Sequence, residues 1–407
     1  MAYTISSKNE QLELDIQQKI NECLDNFESF CFDAGAGAGK TYALQKSIEH
    51  ILKTEGENLK LRNQNILCIT YTNAAKDEVL SRLGKNSSVV VSTIHEFLWG
   101  FISIQQELLT IEHKNKIIDE LNVIDRKIDE NSLSSNVELT EFQNVVCKDD
   151  FIKLFYRYYS APAKDFKDAM KNYNTYFEPY LSNASNFKNL VKDINKKCRL
   201  SKTLKDIKGK EAKKIIYNPV RNRDKLDDYV ISHDTLLLYC KNIITNQDIL
   251  KRLFSDRYPY ILIDEYQDTD EKVVAIIDSI REYSNSRKKL VVGFFGDSLQ
   301  NIYGSGVGVL PNKEKYKSIE KVFNRRSSKQ IVELIERIRN DNFGQQSIYT
   351  DFDTGSYNFY ISDDDFNIDT FIQENSLINN TACLLMKNDD ISKARGFDKI
   401  FLFTIGL

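Results

Sequence analysis

The 407-residue sequence predicts an α/β fold, in which helices connect the strands of a parallel sheet. Two observations predict it: short apolar runs alternate with helical patterns, and the same alternation returns after a long stretch with helical patterns only. The apolar runs lie at residues 30–32, 66–69, 89–91, 260–263 and 290–295. We therefore expect one sheet that is interrupted by a helical insertion and then resumed.

A polar, glutamine-rich helix is predicted from Lys8 to Asn26, and the first strand after it leads into a run of small residues. The run reads Ala34-Gly35-Ala36-Gly37-Ala38-Gly39-Lys40-Thr41, with alanine at the first position, where the general phosphate-loop pattern has glycine. Small residues let backbone N–H groups wrap a phosphate, Lys40 would reach the β- and γ-phosphates, and Thr41 would hold Mg²⁺. The run predicts a nucleoside triphosphate site and leaves the reaction open.

The insertion, from about residue 100 to 227, is predicted to be a helical subdomain. The formal net charge is −3, from 56 basic and 59 acidic residues, which excludes a uniformly cationic coat for nucleic acid. Within residues 192–214, however, ten basic residues face three acidic ones. This run is either a solvated helix face or a nucleic-acid contact.

Two carboxylates, Asp264 and Glu265, follow an apolar strand pattern. At the carboxyl end of a buried strand, Asp264 is suited to hold Mg²⁺, and Glu265 to orient and deprotonate an attacking water. Two acids in this position can equally be an N-cap and first-turn acid of a helix, so the pair by itself leaves both interpretations open.

The seven cysteines include no C-x-x-C pair, and several lie in apolar runs. No targeting segment or membrane-spanning stretch is recognisable. We therefore expect a soluble cytoplasmic protein in a reducing compartment.

Six motifs, in order, resemble those of the UvrD/Rep family of superfamily 1 helicases. They read AGAGAGKT (34–41), ITYTNAAKDEV (69–79), STIHEF (92–97), DEYQDT (264–269), GDSLQNIY (296–303) and NRRSS (324–328). The resemblance covers roughly residues 10–110 and 225–335. It implies a P-loop, RecA-like sheet and an enzyme that hydrolyses ATP with Mg²⁺. It also implies 3′ to 5′ movement on single-stranded DNA or at a junction of single strand and duplex.

The resemblance also implies roles for single residues. Gln300 is similar to the γ-phosphate sensor of the family, Arg326 to an arginine that stabilises transferred charge, and Gln11 to the glutamine that reads adenine, although Gln17 and Gln18 compete with it. The residues that resemble the family's single-stranded DNA surface are Thr70, Tyr71, Thr72, Asn73, Thr93, His95 and Tyr303. Asp234 lies where the family has an acidic segment, and it can equally cap the following helix.

Three departures from the family pattern limit what the resemblance implies. Arg325 replaces a tyrosine that stacks on adenine, and 304–308 replaces a segment that grips DNA. After Arg339 only about 68 residues remain, with an apolar strand predicted at 382–386. We predict a first RecA-like domain from 1–99 and 228–325, a helical insertion at 100–227, and the start of a second RecA-like domain at 326–407. Such a chain is a fragment or is completed by a partner.

Three hypotheses about function stay open. The first is an ATP-dependent DNA helicase or translocase in DNA repair, recombination or defence against foreign DNA. The second is a nucleotide-binding regulatory or scaffold module that docks a nuclease partner without unwinding DNA by itself. The third, another P-loop enzyme such as a kinase, fits DEYQDT and GDSLQNIY least well.

Overall fold

The computed structural model describes residues 3–84, 86–133, 139–209, 213–284, 290–300, 306–308, 310–341, 343–361, 367–377, 382–384 and 391–392. The chain divides into two compact units, Met1–Thr354 and Gly355–Leu407. The sheet and the helical insertion lie in the first unit. The described part of the second unit includes a helix at Ile368–Glu374.

A six-stranded parallel sheet is the centre of the first unit, with the strand order β3-β2-β6-β7-β1-β8. This result confirms the predicted fold class. The strands in the described residues are β1 (Phe30–Ala34), β2 (Ile66–Thr70), β3 (Val89–Thr93), β4 (Ile216–Tyr217), β5 (Val230–Ile231), β6 (Tyr260–Asp264), β7 (Val291–Gly296), β8 (Lys317–Lys321), β9 (Phe323–Asn324) and β10 (Gln346–Ser347).

Helices cover both faces of the sheet. The named α-helices are α1 (Ser7–Asp25), α2 (Lys40–Leu61), α3 (Asn73–Leu83), α4 (Ile94–Ile102), α5 (Gln106–Leu133), α6 (Leu139–Val146), α7 (Asp149–Tyr158), α8 (Ala163–Tyr173), α9 (Ala184–Lys208), α10 (His233–Asn246), α11 (Asp248–Arg257), α12 (Glu271–Ser284), α13 (Lys329–Arg339) and α14 (Ile368–Glu374). On one face α1, α2 and α3 share a core with the strands, and on the other α4, α10, α11 and α12 do so. Because both faces are buried, β1, β2, β6 and β7 are apolar along nearly their whole length.

The insertion has a core of its own, built by α5 to α9 around phenylalanine side chains such as Phe151, Phe155 and Phe187. Cys147, just after α6, and Cys198, in α9, are joined by a disulfide. This bond differs from the expectation of a reducing compartment. The 51-residue separation of the two cysteines gave no sign of the pairing, which results from the packing of α6 on α9.

The first unit continues beyond residue 325, because α13 and β10 belong to it and β10 pairs with β9. The predicted strand at 382–386 is not seen in its described residues, 382–384, and residues 385–386 lie outside the described part. A strand needs a neighbour that pairs with its backbone, and no strand is present among the described residues of the second unit. The division into domains, including a second RecA-like domain, stays a prediction. No described helix is long and apolar enough to cross a membrane.

Candidate nucleotide site and nucleic-acid surface

Three neighbouring strands of the sheet, β6, β7 and β1, run parallel and therefore end at the same edge. The loop at 34–41 includes the last residue of β1 and follows that strand, and a turn at 297–300 follows β7. β6 ends at Asp264, and Glu265 comes next. Open α/β sheets bind ligands at this edge. The strand order alone thus brings the predicted loop and the two carboxylates close together.

The glycine-rich loop has the backbone geometry of an anion site. Gly37 and Gly39 have φ angles of 74° and 85°, which favour glycine. Helix α2 begins at Lys40, and its N-cap residue, Gly39, provides no side-chain hydrogen bond. The N–H groups of this first turn, which includes Thr41, therefore have no side-chain acceptor at the cap. They suit phosphate oxygens, because a helix N-terminus attracts negative charge.

Lys40 contacts two of the predicted catalytic residues. Its Nζ lies 3.2 Å from Oε2 of Glu265 and donates a hydrogen bond of 3.3 Å to Oε1 of Gln300. Glu265 has a φ of 47°, an uncommon value for a residue with a side chain. Its carboxylate also accepts a 2.9 Å hydrogen bond from Nε2 of Gln267. Side chains from the ends of three strands meet at this point.

Asp264 is 5% exposed, at the end of β6. Burial, and next the neighbouring charge of Glu265, raise the pKa of the Asp264 carboxyl to about 7. A divalent cation beside this carboxylate would favour its charged form and offset the cost of burial. The residue therefore fits a Mg²⁺ ligand.

The NRRSS run lies against the glycine-rich loop. Nδ2 of Asn324 donates to the carbonyl of Ala36 at 2.7 Å, and the N–H of Arg325 donates to the carbonyl of Gly37 at 3.0 Å. The side chain of Arg326 is exposed next to these contacts. A Cβ on Gly37 would lie 3.0 Å from Cβ of Arg326. The structure thus brings Arg326 to the loop.

A cavity of about 360 Å³ opens between α1, α2 and β8, and its lining includes Glu13, Gln17, Tyr42, Lys321 and Arg325. Arg325 hydrogen-bonds the carboxylate of Glu13 through both Nε and an Nη, and Lys321 lies 2.5 Å from the same carboxylate. Burial raises the pKa of Glu13, but these bonds outweigh that effect and keep it below its usual value.

Gln11 lies elsewhere. Its side chain donates to Asp15 at 2.8 Å on the exposed part of α1, and it is not among the residues that line the cavity. Gln17, which competed for the same role, does line the cavity. The number of residues between a glutamine and the loop could not decide this, because it depends on which face of α1 packs on the sheet.

The predicted nucleic-acid residues lie beside the nucleotide site, at the ends of β2 and β3. Thr70 and Thr93 are paired in register. Thr70, Tyr71 and His95 line a cavity of about 220 Å³ that His233 and Asp264 also line. Thr72, Asn73 and Thr93 are not among its lining residues; the hydroxyl of Thr72 caps α3, where Asn73 is the first residue. Tyr303 lies outside the described residues.

His95 is largely buried, and its ring centroid lies 4.5 Å from that of His233. Burial, and next the proximity of His233, lower the pKa of His95 to about 4. At neutral pH His95 is therefore an uncharged ring that can stack, and not a cation that attracts phosphate.

The chain matches the family model described as the UvrD/REP helicase N-terminal domain over residues 15–318. It belongs to this helicase family. It is 40% identical to the Gabija protein GajB of Bacillus cereus (strain HuB5-5), over 95% of this chain and 59% of that protein. It is 24% identical to the ATP-dependent DNA helicase Rep of Buchnera aphidicola subsp. Baizongia pistaciae (strain Bp), over 79% of this chain and 43% of Rep. It is 25% identical to the ATP-dependent DNA helicase PcrA of Staphylococcus epidermidis (strain ATCC 12228 / FDA PCI 1200), over 75% of this chain and 37% of PcrA. The chain thus spans between 37% and 59% of these relatives.

In this UvrD/Rep family member, two residues that sequence reasoning missed hold Gln300 in place. Nε2 of Gln300 donates to Oδ2 of Asp297 at 2.9 Å, and Nη1 of Arg339 donates to the same oxygen at 2.7 Å. The Asp297 and Arg339 side chains are 2% and 8% exposed. Asp297 was visible in the GDSLQNIY motif, but no sequence signal linked it to Arg339, at the end of α13.

Proposed function

We propose that this chain contains the nucleotide-hydrolysing motor of an ATP-dependent DNA helicase or translocase that moves 3′ to 5′ along single-stranded DNA. Membership of the UvrD/Rep family supports this proposal. The observation that carries it is the contact of Lys40 with both Glu265 and Gln300 beside a loop with an anion-binding backbone. The direction of movement rests on the family resemblance.

In this proposal residues 34–41 hold the phosphates of ATP, and Asp264 and Thr41 hold Mg²⁺. Bound Mg²⁺ would neutralise charge that develops on the phosphates. Glu265 orients and deprotonates the attacking water, so its contact with Lys40 must yield to substrate.

Gln300 and Arg326 complete the proposed catalytic set. Gln300 contacts the γ-phosphate and reports its loss, and Asp297 positions it for this role. Arg326, exposed beside the loop, stabilises charge during transfer. For base recognition we propose Gln17 in place of Gln11, because Gln17 lines the cavity that Arg325 closes.

DNA is proposed to bind at the ends of β2 and β3. Tyr71 and the uncharged ring of His95 would stack on bases, and polar groups nearby would hold phosphates. The remaining residues of this surface are Thr70, Thr72, Asn73, Thr93 and Tyr303. Of the three pathways, the 40% identity to the Gabija protein GajB favours defence against foreign DNA.

The proposal is tested by steady-state ATP hydrolysis with and without single-stranded DNA. We expect DNA to stimulate turnover and Lys40→Ala and Glu265→Gln to lower it at least about 100-fold. Lys53→Ala and Glu57→Gln are matched controls, because both residues are exposed on α2. Turnover that survives in both site variants would contradict the proposal. Displacement of streptavidin from DNA biotinylated at either end would then test the direction.

The second candidate is a nucleotide-binding module that docks a nuclease without unwinding DNA. In that case the wild-type chain would bind ATP, and Lys40→Ala would abolish binding, but no DNA-stimulated turnover would be measured. Affinity between the chain and a nuclease would then depend on nucleotide. The same assay therefore separates the two candidates.

A further inference from the structure

The basic run of residues 192–214 is partly neutralised by carboxylates from other elements. Three of its ten cations form ion pairs with two acidic residues of α5 and one residue near the end of the insertion. These pairs are Lys196 with Glu120, Lys197 with Asp125, and Arg199 with Asp227. These three cations are therefore less available to a polyanion than exposed cations that have no carboxylate partner.

The loop at 218–225, which follows β4, contains two such cations. Arg221 and Arg223 are exposed, and neither guanidinium has a carboxylate within 4 Å among the described residues. Lys225, by contrast, lies 3.9 Å from Asp228. A guanidinium group is suited to phosphate because its fork of donors matches two oxygens.

This loop is fixed in place, although it lies on the surface. Oδ1 of Asn222 accepts from the N–H of His233 at 2.9 Å, at the start of α10. Oδ1 of Asp224 accepts from the N–H of Ser232 at 2.7 Å, and Oδ2 accepts from Thr235 at the same distance. The two arginines alternate with these two anchoring residues. These hydrogen bonds therefore hold the backbone that carries the two guanidinium groups.

The position of the loop links it to the nucleic-acid surface. Its residues line a cavity of about 670 Å³, and Asn222 lines both this cavity and the one formed by Tyr71, His95 and His233. The side chain of Val220, also in this lining, is almost fully exposed. An apolar side chain beside two cations suits a chain that presents both bases and phosphates.

We propose that the loop at 218–225 binds the phosphate backbone of single-stranded DNA through Arg221 and Arg223. The loop extends the surface of Tyr71 and His95. This proposal rests on the proposed function, because that function requires the chain to bind DNA. Val220 contacts a base or sugar between the two phosphates. The loop thereby holds the strand where it leaves the ends of β2 and β3.

The test compares a double variant, Arg221→Ala/Arg223→Ala, with a control, Arg62→Ala/Arg337→Ala. The control also loses two exposed arginines that have no carboxylate partner in the described part of the chain. The affinity for fluorescent oligo-dT is measured between about 50 and 200 mM salt. Each lost phosphate contact lowers the slope of log K against log salt by about 0.7 on single strands, so we expect a decrease of about 1.4. Affinity at low salt should fall about tenfold or more, while the control stays within twofold.

Charge and fold are checked separately. Arg221→Lys/Arg223→Lys should restore most of the salt slope, because the slope depends on cation number. The alanine variant should unfold at the wild-type urea concentration, because neither guanidinium has a carboxylate partner among the described residues. Wild-type DNA affinity and slope in the alanine variant would overturn the inference, and would leave an acidic protein segment as the occupant. A wild-type chain that binds no oligo-dT would instead contradict the proposed function itself.

Discussion

The ion pair between Arg339 and Asp297 allows us to predict how much the free energy of unfolding falls when Arg339 is replaced. The two side chains are 8% and 2% exposed and lie 2.7 Å apart. Replacing Arg339 by methionine keeps much of its volume but leaves the buried Asp297 carboxylate with one side-chain donor among the described residues, Gln300. Removing one partner of a buried ion pair lowers the free energy of unfolding by about 3–5 kcal/mol.

Arg339 also pairs with Asp341, whose side chain is 28% exposed. Asp341→Asn removes that second pair alone, and we expect it to cost less than about 1 kcal/mol. The double variant Asp297→Asn/Arg339→Met should be less destabilised than the sum of its single variants, because no buried charge is left unpaired.

Urea unfolding measures these differences. With a slope of about 3 kcal/mol per molar urea for a chain of this size, Arg339→Met should lower the midpoint by about 1–1.7 M. Asp341→Asn should lower it by less than about 0.3 M. If Arg339→Met unfolds no earlier than Asp341→Asn, the buried pair does not form in solution and the positioning of Gln300 by Asp297 must have another cause.

Three further predictions follow from single contacts. Gly296→Ala should destabilise the protein by at least about 1–3 kcal/mol, because its Cβ would lie 2.4 Å from Oε1 of Gln267. Gly56→Ala, in α2, should be neutral or stabilising in the same urea unfolding measurements, because a Cβ at this position would have nothing within 4 Å. The ratio of DNA affinities of wild type and His95→Phe should stay constant from pH 8 to pH 5.5, because a group with a pKa near 4 gains almost no charge there. A ratio that rises as pH falls would refute an uncharged His95. Cys147→Ser should lower the unfolding free energy by up to about 4 kcal/mol without reductant, and should match the wild type with reductant.

The strands that build the centre of the sheet could be predicted because each is buried on both faces. Such strands read as apolar runs, so β1, β2, β6 and β7 were found within two residues of their observed ends. The edge strand β8 was missed for the same physical reason. Only Ile319 and Lys321 are buried in it, so its sequence, KSIEK, has no apolar run.

Contacts between distant elements could not be predicted from the sequence. Three of the ten cations at 192–214 have carboxylate partners in distant segments, such as Glu120 in α5, so the sequence alone overstated the unpaired charge of the run. The buried pair of Arg339 and Asp297 joins α13 to the end of β7, and neither segment carries a pattern that specifies the other. Motifs identified local geometry, but packing decides which charges are neutralised.

The strand order explains why one short segment borders both candidate ligands. β6 lies between β2, on the nucleic-acid side, and β7, on the nucleotide side. Within the segment 264–270 that follows, Glu265 contacts Lys40, while Asp268 and Asp270 line the cavity of Tyr71 and His95. A parallel sheet buried on both faces resists deformation, because its interior is close-packed. A ligand at either side must therefore be accommodated by this segment, and under the proposed function this is where DNA binding and ATP hydrolysis influence each other.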